Sequence, residues 1–417
     1  MKTLTISTDA PVRGQFDVVV CGGGPSGIAA AIAAKRAGAS VLLIEQSAIL
    51  GGSATLAGVA VYMPVGNITG FYAELVNDLQ LRDHKGRDPQ QRFSPHFSPH
   101  EMRLYFNEKL AAEGVTVWYH TSFVDAAVQN NFAKAVILHT REGLVAVETK
   151  FVIDATGNAN VARACGAQLT SGREEDGATQ PMTLMFGMLD THQPVTPHLP
   201  AGCPNYDTVE SLPQGRVLTW LDQDSGQLLV NMTRVRGNGA KIDDINHAER
   251  EGLRQVFGVV HFLQRHDFKT FRLAWVAPQI GVRETFQIVG HHTLHEDDCT
   301  RGQRFDDVIA QTNYGIDIHN PTGTSGTLQT EVQLYDIPFR TIVPAHGAHN
   351  VLVAGRTLSA THVAMSSARV MPTCMALGQA AGIAAALCTQ RNLPAQSTPI
   401  PDLHAQLKQQ GVTFTGH

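Results

Sequence analysis

The 417-residue sequence has few charged residues and lacks several of the short patterns that mark protein sites. Charged residues make up 17% of the chain, the net charge is -5 and no Lys/Arg run occurs, which makes nucleic acid an unexpected partner. The six cysteines contain no C-x-x-C pair, which argues against an iron–sulfur cluster, a zinc knuckle or a redox disulfide. They indicate reduced thiols and a cytoplasmic protein. No G-x-S-x-G nucleophile elbow is present.

Long apolar segments are also scarce. The N-terminal residues lack the apolar run that a secretion signal needs, so we expect no export signal there. A 21-residue stretch without charge lies between Arg369 and Arg391, and it contains Pro372 and Gln379 and is dominated by alanine. This composition favours a helix packed inside the protein over a membrane span.

Glycine is abundant, with 38 residues, and the first cluster follows a buried strand pattern. FDVVVC at 16–21 is followed by GGGPSG, by the alanine-rich AIAAKRAG and by VLLIE at 41–45. This order predicts a strand, a glycine turn, a helix and a second parallel strand. The N-terminus is therefore predicted to form the βαβ unit of a Rossmann-like fold.

The glycines of this turn have the spacing of a dinucleotide-binding fingerprint. Gly22, Gly24 and Gly27 form G-x-G-x-x-G, and Glu45 closes the second strand. The first glycine makes the turn, the second lets a pyrophosphate approach the backbone, and the third lets helix and strand pack closely. Glu45 is positioned to accept hydrogen bonds from the adenosine ribose hydroxyls.

The rest of the chain alternates between two patterns. A capping box at Ser98 predicts a helix to about Glu113. The pattern weakens from about 53 to 98, and the polar segment RDHKGRDPQQRFSPHFSPH at 82–100 is interpreted as an insertion or loop. Short alternating segments within 165–335 predict antiparallel strands, with a helix at 243–265. After residue 335 the chain returns to a strand at NVLVAGR and a helix from about Pro372 to Cys388.

Three further segments carry a family resemblance. EQSAILGGSAT follows the acidic strand end, VIDATGNA ends a buried strand, and the last is the run from IPFRTIVP to GQAAGIAAA. Together they resemble the FAD-dependent oxidoreductases related to the fumarate reductase and succinate dehydrogenase flavoproteins. The resemblance implies an α/β fold with a discontinuous Rossmann-like FAD-binding domain (1–164 and 336–417). An α+β substrate domain (165–335) is inserted into it.

The fingerprint and the resemblance together select the residues expected to hold FAD. By resemblance, the Val124 backbone pairs with adenine, Gly355 and Arg356 lie along the ribityl and phosphate region, and the helix starting near Thr373 aims its N-terminus at the flavin pyrimidine edge. The predicted cofactor residues are Gly22, Gly24, Pro25, Ser26, Gly27, Glu45, Gln46, Gly52, Ser53, Val124, Ala155, Thr156, Gly157, Gly355, Arg356 and Thr373.

Candidate catalytic residues come from the segment just before that helix. His362 can exchange a proton with the substrate and Arg369 can clamp a carboxylate, although both could simply order the loop. Arg283 is a second candidate for binding an anion, with a structural ion pair to Glu284 or another acid as its alternative. Tyr62 and Tyr335 are weaker candidates. The histidine groups at 96/100 and 291/292/295 are interpreted as solvated or loop residues, and no metal site is expected.

These observations predict an FAD-dependent oxidoreductase that transfers a hydride between flavin N5 and a small polar, possibly anionic, organic substrate. No second strand–GxGxxG–helix unit occurs, so no separate NAD(P)H domain is expected. The electron acceptor, the direction of reaction, the substrate and the oligomeric state stay open. The alternative function is the flavin subunit of a multi-protein electron-transfer complex.

Overall fold

The predicted N-terminal strand, glycine turn and helix are present in the computed structural model, which describes residues 4, 7–66, 69–81, 96–222, 225–322 and 327–417. The strands are β1 Val12–Cys21, β2 Val41–Ile44, β3 Thr116–Trp118, β4 Ser122–Gln129, β5 Phe132–Thr140, β6 Gly143–Asp154, β7 Leu169–Thr170, β8 Phe186–Asp190, β9 Thr219–Asp222, β10 Gln227–Val230, β11 Phe271–Val276, β12 Gln287–Ile288, β13 Val308–Thr312, β14 Ile316–His319, β15 Thr327–Thr330, β16 Tyr335–Pro338 and β17 Val351–Val353. The helices are α1 Pro25–Arg36, α2 Gly70–Asp78, α3 Pro99–Ala112, α4 Asn160–Ala164, α5 Ile242–Arg265, α6 Glu296–Arg301, α7 His362–Ala368, α8 Met371–Arg391 and α9 Ile400–Gln409.

A seven-stranded mixed sheet forms the centre of the fold. Its order is β3-β2-β1-β6-β5-β4, and β17 also pairs with β6. The pairs β1–β2, β1–β6, β2–β3 and β6–β17 are parallel, whereas β4 and β5 are antiparallel additions. The strands therefore form a Rossmann-like core, as predicted. The carboxyl ends of β1, β2, β6 and β17 meet at one edge, where ligands bind in open α/β sheets.

Helices α1 and α8 pack closely against each other. A Cβ atom at Gly378 would lie 2.0 Å from the Ser26 carbonyl oxygen, and one at Gly382 would lie 2.1 Å from the Ala30 carbonyl oxygen. These two glycines therefore let the helix backbones touch. The close packing fixes the N-terminus of α8 relative to the glycine turn.

Helix α8 is the one described helix that is long and apolar enough to cross a membrane. Its mean hydropathy over the most apolar 18-residue window is 1.4, and 94% of that window is buried inside the protein. Such burial is typical of a core helix.

A second, smaller core lies beside the first. The antiparallel sheet β11-β8-β10-β9 packs with α5, and the buried residues of this core run from 182 to 280 together with residues 60 and 61. Buried residues from Ile288 to Ile337 belong instead to the first core. The predicted boundaries at 164/165 and 335/336 stay a prediction, and the cores favour a return to the first unit nearer residue 288.

Several local predictions are confirmed. Helix α3 begins at the predicted cap, where Ser98 Oγ accepts a hydrogen bond from the Glu101 N–H. Helix α5 and the antiparallel strands of the second core are also present.

The predicted insertion or loop at 82–100 falls mainly on residues 82–95, which lie outside the described residues, so it stays a prediction. Before it, where the sequence pattern weakens, the structure has helix α2 and a short 3-10 turn at Gly52–Ala54. The weak apolar periodicity hid α2, whose buried residues Phe71, Tyr72 and Leu75 pack into the first core. Helix α7 was also missed, because its seven residues are too few to show a period.

Candidate functional site

The three fingerprint glycines occupy different surroundings at the end of β1. A Cβ atom at Gly22, where φ is +111°, would lie 2.4 Å from the Ala155 carbonyl oxygen, and one at Gly27 would lie 1.9 Å from the Gly22 carbonyl oxygen. A Cβ atom at Gly24 would meet no described atom within 4 Å. Gly22 and Gly27 therefore serve packing, whereas Gly24 faces open space beside the N-terminus of α1.

Glu45 is held at the end of β2 by the same turn. Its Oε2 accepts a hydrogen bond from the Gly23 N–H at 2.9 Å, and its Oε1 accepts one from the Ser47 N–H at 2.8 Å. The residue is 6% exposed. A carboxylate fixed in this way has lone pairs left for ribose hydroxyls.

The second glycine pair packs directly on the first turn. The Gly51 N–H donates to the Gly23 carbonyl oxygen at 2.8 Å. A Cβ atom at Gly52 would lie 3.1 Å from the Gly24 Cα atom. Ser53 follows in the same 3-10 turn, whereas Gln46 is solvent-exposed.

The end of β6 closes the other side of the turn. The Ala155 N–H donates to the Cys21 carbonyl oxygen at 2.9 Å, and the buried Asp154 carboxylate accepts hydrogen bonds from Thr156 and from the Ala162 N–H. Burial raises the pKa of Asp154. This carboxylate therefore fixes the loop through Gly157 against the glycine turn.

Gly355 lies close to α1, at the end of β17. Its φ is +94°, and a Cβ atom there would lie 2.9 Å from Ser26 Oγ. The Arg356 guanidinium donates to the carbonyl oxygens of Gly157 at 2.8 Å and Val282 at 2.6 Å. Burial lowers the pKa of Arg356 to about 10. Arg356 thus braces two protein segments, and its expected place along the ribityl and phosphate region stays a prediction.

Val124 lies at an irregularity in the β4–β5 ladder, where the register shifts between Phe123 and Asp125. An extra residue in a bulge is left unpaired by its ladder. Its side chain is half exposed. The bulge favours the expected backbone contact with adenine, which stays a prediction.

The residues present fit an FAD molecule. The open space at Gly24 is the approach that a pyrophosphate needs, and the N-terminus of α1 has no side-chain cap competing for its N–H groups. At the first turn of α8, the buried Thr373 Oγ1 has no hydrogen-bond partner among the described residues. These features lie where the pyrophosphate and the flavin ring of the cofactor are expected.

His362 begins α7, where it is buried against a carboxylate. Its Nδ1 lies 2.8 Å from Glu284 Oε1, and Glu284 is fully buried. The Glu284 Oε2 accepts a hydrogen bond from the Gln180 N–H at 2.9 Å. The alternative ion pair between Arg283 and Glu284 is wrong, because Glu284 turns to His362 instead.

Arg283 joins a second arginine, Arg234. Both guanidinium groups donate to Thr183 Oγ1, at 2.7 Å from Arg283 and 2.8 Å from Arg234. Both also reach the Asn231 side-chain oxygen, at 3.5 Å and 2.9 Å respectively. Two positive charges therefore share neutral partners, with no carboxylate between them among the described contacts.

Arg369 brings a third positive charge to this group, which we call the arginine cluster (Arg234, Arg283 and Arg369). Its Nη2 donates to Gln180 Oε1 at 3.1 Å and lies 3.9 Å from Asp317 Oδ2. Arg369 also immediately precedes Val370, the N-cap of α8. The cluster is thereby fixed next to the expected flavin edge.

The electrostatics show an excess of positive charge in a buried place. Burial and the charge of Arg283 lower the pKa of Arg234 well below its ordinary value. Burial and Arg369 lower the pKa of Arg283 to about 9. Burial and Arg283 also lower the pKa of His319, whose Nδ1 lies 3.4 Å from Arg234 Nη2. Asp317 is the one carboxylate in direct contact with the cluster among the described residues, so a bound anion would be stabilised there.

Several polar atoms around the cluster are buried without partners. Among the described residues, no hydrogen bond is made by Gln180 Nε2, Arg234 Nε, Arg369 Nε or Asp317 Oδ1. Buried donors of this kind cost free energy unless an acceptor meets them. The three donors outnumber the single acceptor, which indicates a ligand with several oxygen atoms that accept hydrogen bonds.

Sequence reasoning found Arg283, Arg369 and His362 and missed their neighbours in space. Arg234, Gln180, Asp317 and His319 come from segments without a motif. The two tyrosine candidates lie in the core: Tyr62 contacts Met102 Sδ and Tyr335 contacts Ser367 Oγ, and burial raises the pKa of both. No group of three His, Cys, Asp or Glu side chains within the described parts of the chain is arranged for a metal ion.

Three solved structures that align with most of the chain are distant from it. A geranylgeranyl bacteriochlorophyll reductase-like protein from Thermoplasma acidophilum is 13% identical with a TM-score of 0.47, and the alignment covers 95% of this chain and 84% of that one. The anhydrotetracycline hydroxylase OxyS from Streptomyces rimosus is 12% identical with a TM-score of 0.47, covering 94% and 65%. BexE, from BE-7585A biosynthesis, is 13% identical with a TM-score of 0.49, covering 95% and 69%. These likenesses are too distant to indicate a reaction, and no curated protein sequence matches significantly.

A family model gives the decisive comparison. The model described as FAD dependent oxidoreductase matches residues 17–407, nearly the whole chain. The match includes the glycine turn, the arginine cluster and α8. FAD is therefore the cofactor, and the chain belongs to the family of FAD-dependent oxidoreductases.

Proposed function

We propose that this flavoenzyme transfers a hydride between a small organic anion and flavin N5. The observation that carries the proposal is the arginine cluster, which holds three buried or partly buried guanidinium groups. Among the described residues one carboxylate, Asp317, contacts the cluster directly, and it does so through Arg369. A substrate carboxylate would supply the missing negative charge and accept charge-assisted hydrogen bonds.

Different residues of the chain bind the substrate and transfer the proton. When bound, FAD supplies the hydride-accepting or hydride-donating atom. Arg369 and Arg283 hold the anionic end of the substrate. Because the His362 Nδ1 faces the Glu284 carboxylate, Nδ1 carries the proton and Nε2 is the nitrogen that exchanges one with the substrate.

The finer relationship to the fumarate reductase and succinate dehydrogenase flavoproteins is part of this proposal. An anion-binding site next to the cofactor helix supports it. The alternative, a flavin subunit of an electron-transfer complex, requires a partner protein to reduce or oxidise the flavin. The electron acceptor and the cytoplasmic location stay predictions.

An anaerobic screen of the isolated holoenzyme tests the proposal. Small carboxylic acids are added with their neutral methyl esters as matched controls, and flavin absorbance near its visible maximum is followed with both oxidised and dithionite-reduced enzyme. We expect at least one acid to bleach or restore the flavin while its ester fails to do so. Equal rates with acids and esters would refute an anionic substrate. If no small molecule changes the flavin absorbance, the result would favour the alternative, a flavin subunit of an electron-transfer complex.

A further inference from the structure

Gln180 lies at the junction of the arginine cluster and the His362–Glu284 pair. Its backbone N–H donates to Glu284 Oε2 at 2.9 Å, and its side-chain Oε1 accepts a hydrogen bond from Arg369 Nη2 at 3.1 Å. The residue is fully buried. No other described residue contacts both groups through hydrogen bonds.

The orientation of the Gln180 amide is fixed by its neighbours. Arg369 and the His319 N–H, at 3.4 Å, are donors only, so the atom facing them has to be the amide oxygen. The NH₂ group then points away from these donors, and Nε2 has no partner among the described residues. A buried amide donor left in this state costs free energy until an acceptor meets it, and an oxygen atom of a ligand can be that acceptor.

We propose that Gln180 is a specificity-determining residue, whose amide donates a hydrogen bond to a substrate oxygen next to the carboxylate. Nε2 is bonded to the same carbon as Oε1, which contacts Arg369. An acceptor that meets Nε2 therefore lies within a few bonds of an anion held by Arg369, whose Nε is also unpartnered. The substrate class that fits is a 2-hydroxy or 2-oxo acid.

A second buried glutamine provides a control that lacks the contact with Arg369. Gln287 is also buried, and its Nε2 also has no partner among the described residues. No described hydrogen bond connects its side chain with an arginine of the cluster. Gln287 therefore serves as a matched control, equal in residue type and burial.

The inference rests on the proposed anionic substrate. The test distinguishes a failure of the role of Gln180 from a failure of the proposed anionic substrate. Lactate and propionate differ by one hydroxyl oxygen beside the carboxylate. Their dissociation constants are measured by calorimetry on the dithionite-reduced holoenzyme, which cannot oxidise either acid. The proteins compared are wild type, Gln180→Met and Gln287→Met, after their FAD content has been confirmed as equal.

We expect the wild type and Gln287→Met to bind lactate about 3- to 10-fold more tightly than propionate, which is the value of one hydrogen bond. Gln180→Met should lose this preference. A purely structural effect of the substitution would weaken both acids alike and leave their ratio unchanged, which would overturn the inference. Equal binding of the two acids by wild type would also overturn it while leaving the anion site intact. If wild type binds neither acid, the proposed anionic substrate fails as well.

Discussion

Gly24 and Gly27 belong to one motif, yet the structure predicts opposite consequences of adding a methyl group at each. At Gly24, where φ is -76°, the methyl group of alanine meets no described atom within 4 Å. Gly24→Ala should change the free energy of unfolding of the apoprotein by less than about 1 kcal/mol, the range of an N-cap exchange. At Gly27 the same group meets a backbone oxygen at 1.9 Å. Gly27→Ala should cost about 1–3 kcal/mol by overpacking.

FAD affinity should fall strongly in Gly24→Ala, although the stability of its apoprotein hardly changes. The methyl group enters the space through which a pyrophosphate approaches the backbone. Losing two charge-assisted hydrogen bonds of about 1.5 kcal/mol each corresponds to about a 100-fold weaker affinity. Urea unfolding of both apoproteins and FAD titration by flavin fluorescence measure the two quantities. If Gly24→Ala bound FAD like wild type, or destabilised the apoprotein as much as Gly27→Ala, the pyrophosphate would lie elsewhere.

Three further predictions concern catalysis and stability. His362→Gln should keep full FAD content and slow anaerobic flavin reduction by about 10²–10⁴-fold. A reduction rate equal to that of the wild type would show that His362 does not transfer the proton. Burial raises the pKa of Asp17, but hydrogen bonds from Lys150 and Ser40 outweigh burial and lower this pKa to about 2. The ionised Asp17 therefore stabilises the fold above about pH 4, and this contribution is lost as the pH falls to 2. Asp17→Asn should therefore lower the free energy of unfolding by about 1–2 kcal/mol at pH 7 and have little effect at pH 2 in urea titrations, whereas a pH-independent loss would contradict the ion pair. Gly378→Ala should cost about 1–3 kcal/mol in the same assay because its Cβ atom would meet the backbone of α1 at 2.0 Å, and a stability equal to wild type would show that the two helices separate freely.

The sequence predicted those parts of the molecule that depend on local pattern. The turn at Gly22, the acidic strand end at Glu45 and the capped helix at Ser98 each follow from a few neighbouring residues. Their backbone requirements are visible in the sequence itself. The same holds for α8, whose alanine-rich composition and glycines suit close contact with another helix.

The arginine cluster could not be predicted in this way, because its members meet only in the folded chain. Arg234 follows β10, Asp317 lies in β14 and Arg369 ends α7, and each looks like an ordinary polar residue in its own segment. Glu284 illustrates the difficulty. Its position next to Arg283 suggested a local pair, but its carboxylate contacts His362, 78 residues away along the chain.

The crystal structure of the holoenzyme, with bound FAD and the carboxylic acid that reduces or reoxidises its flavin, would test the central claim most directly. We predict that the pyrophosphate lies against Gly24 and that the carboxylate accepts hydrogen bonds from Arg369 and Arg283. The reacting carbon should lie between flavin N5 and His362. A flavin ring remote from α7, or an acid bound outside the arginine cluster, would contradict the account.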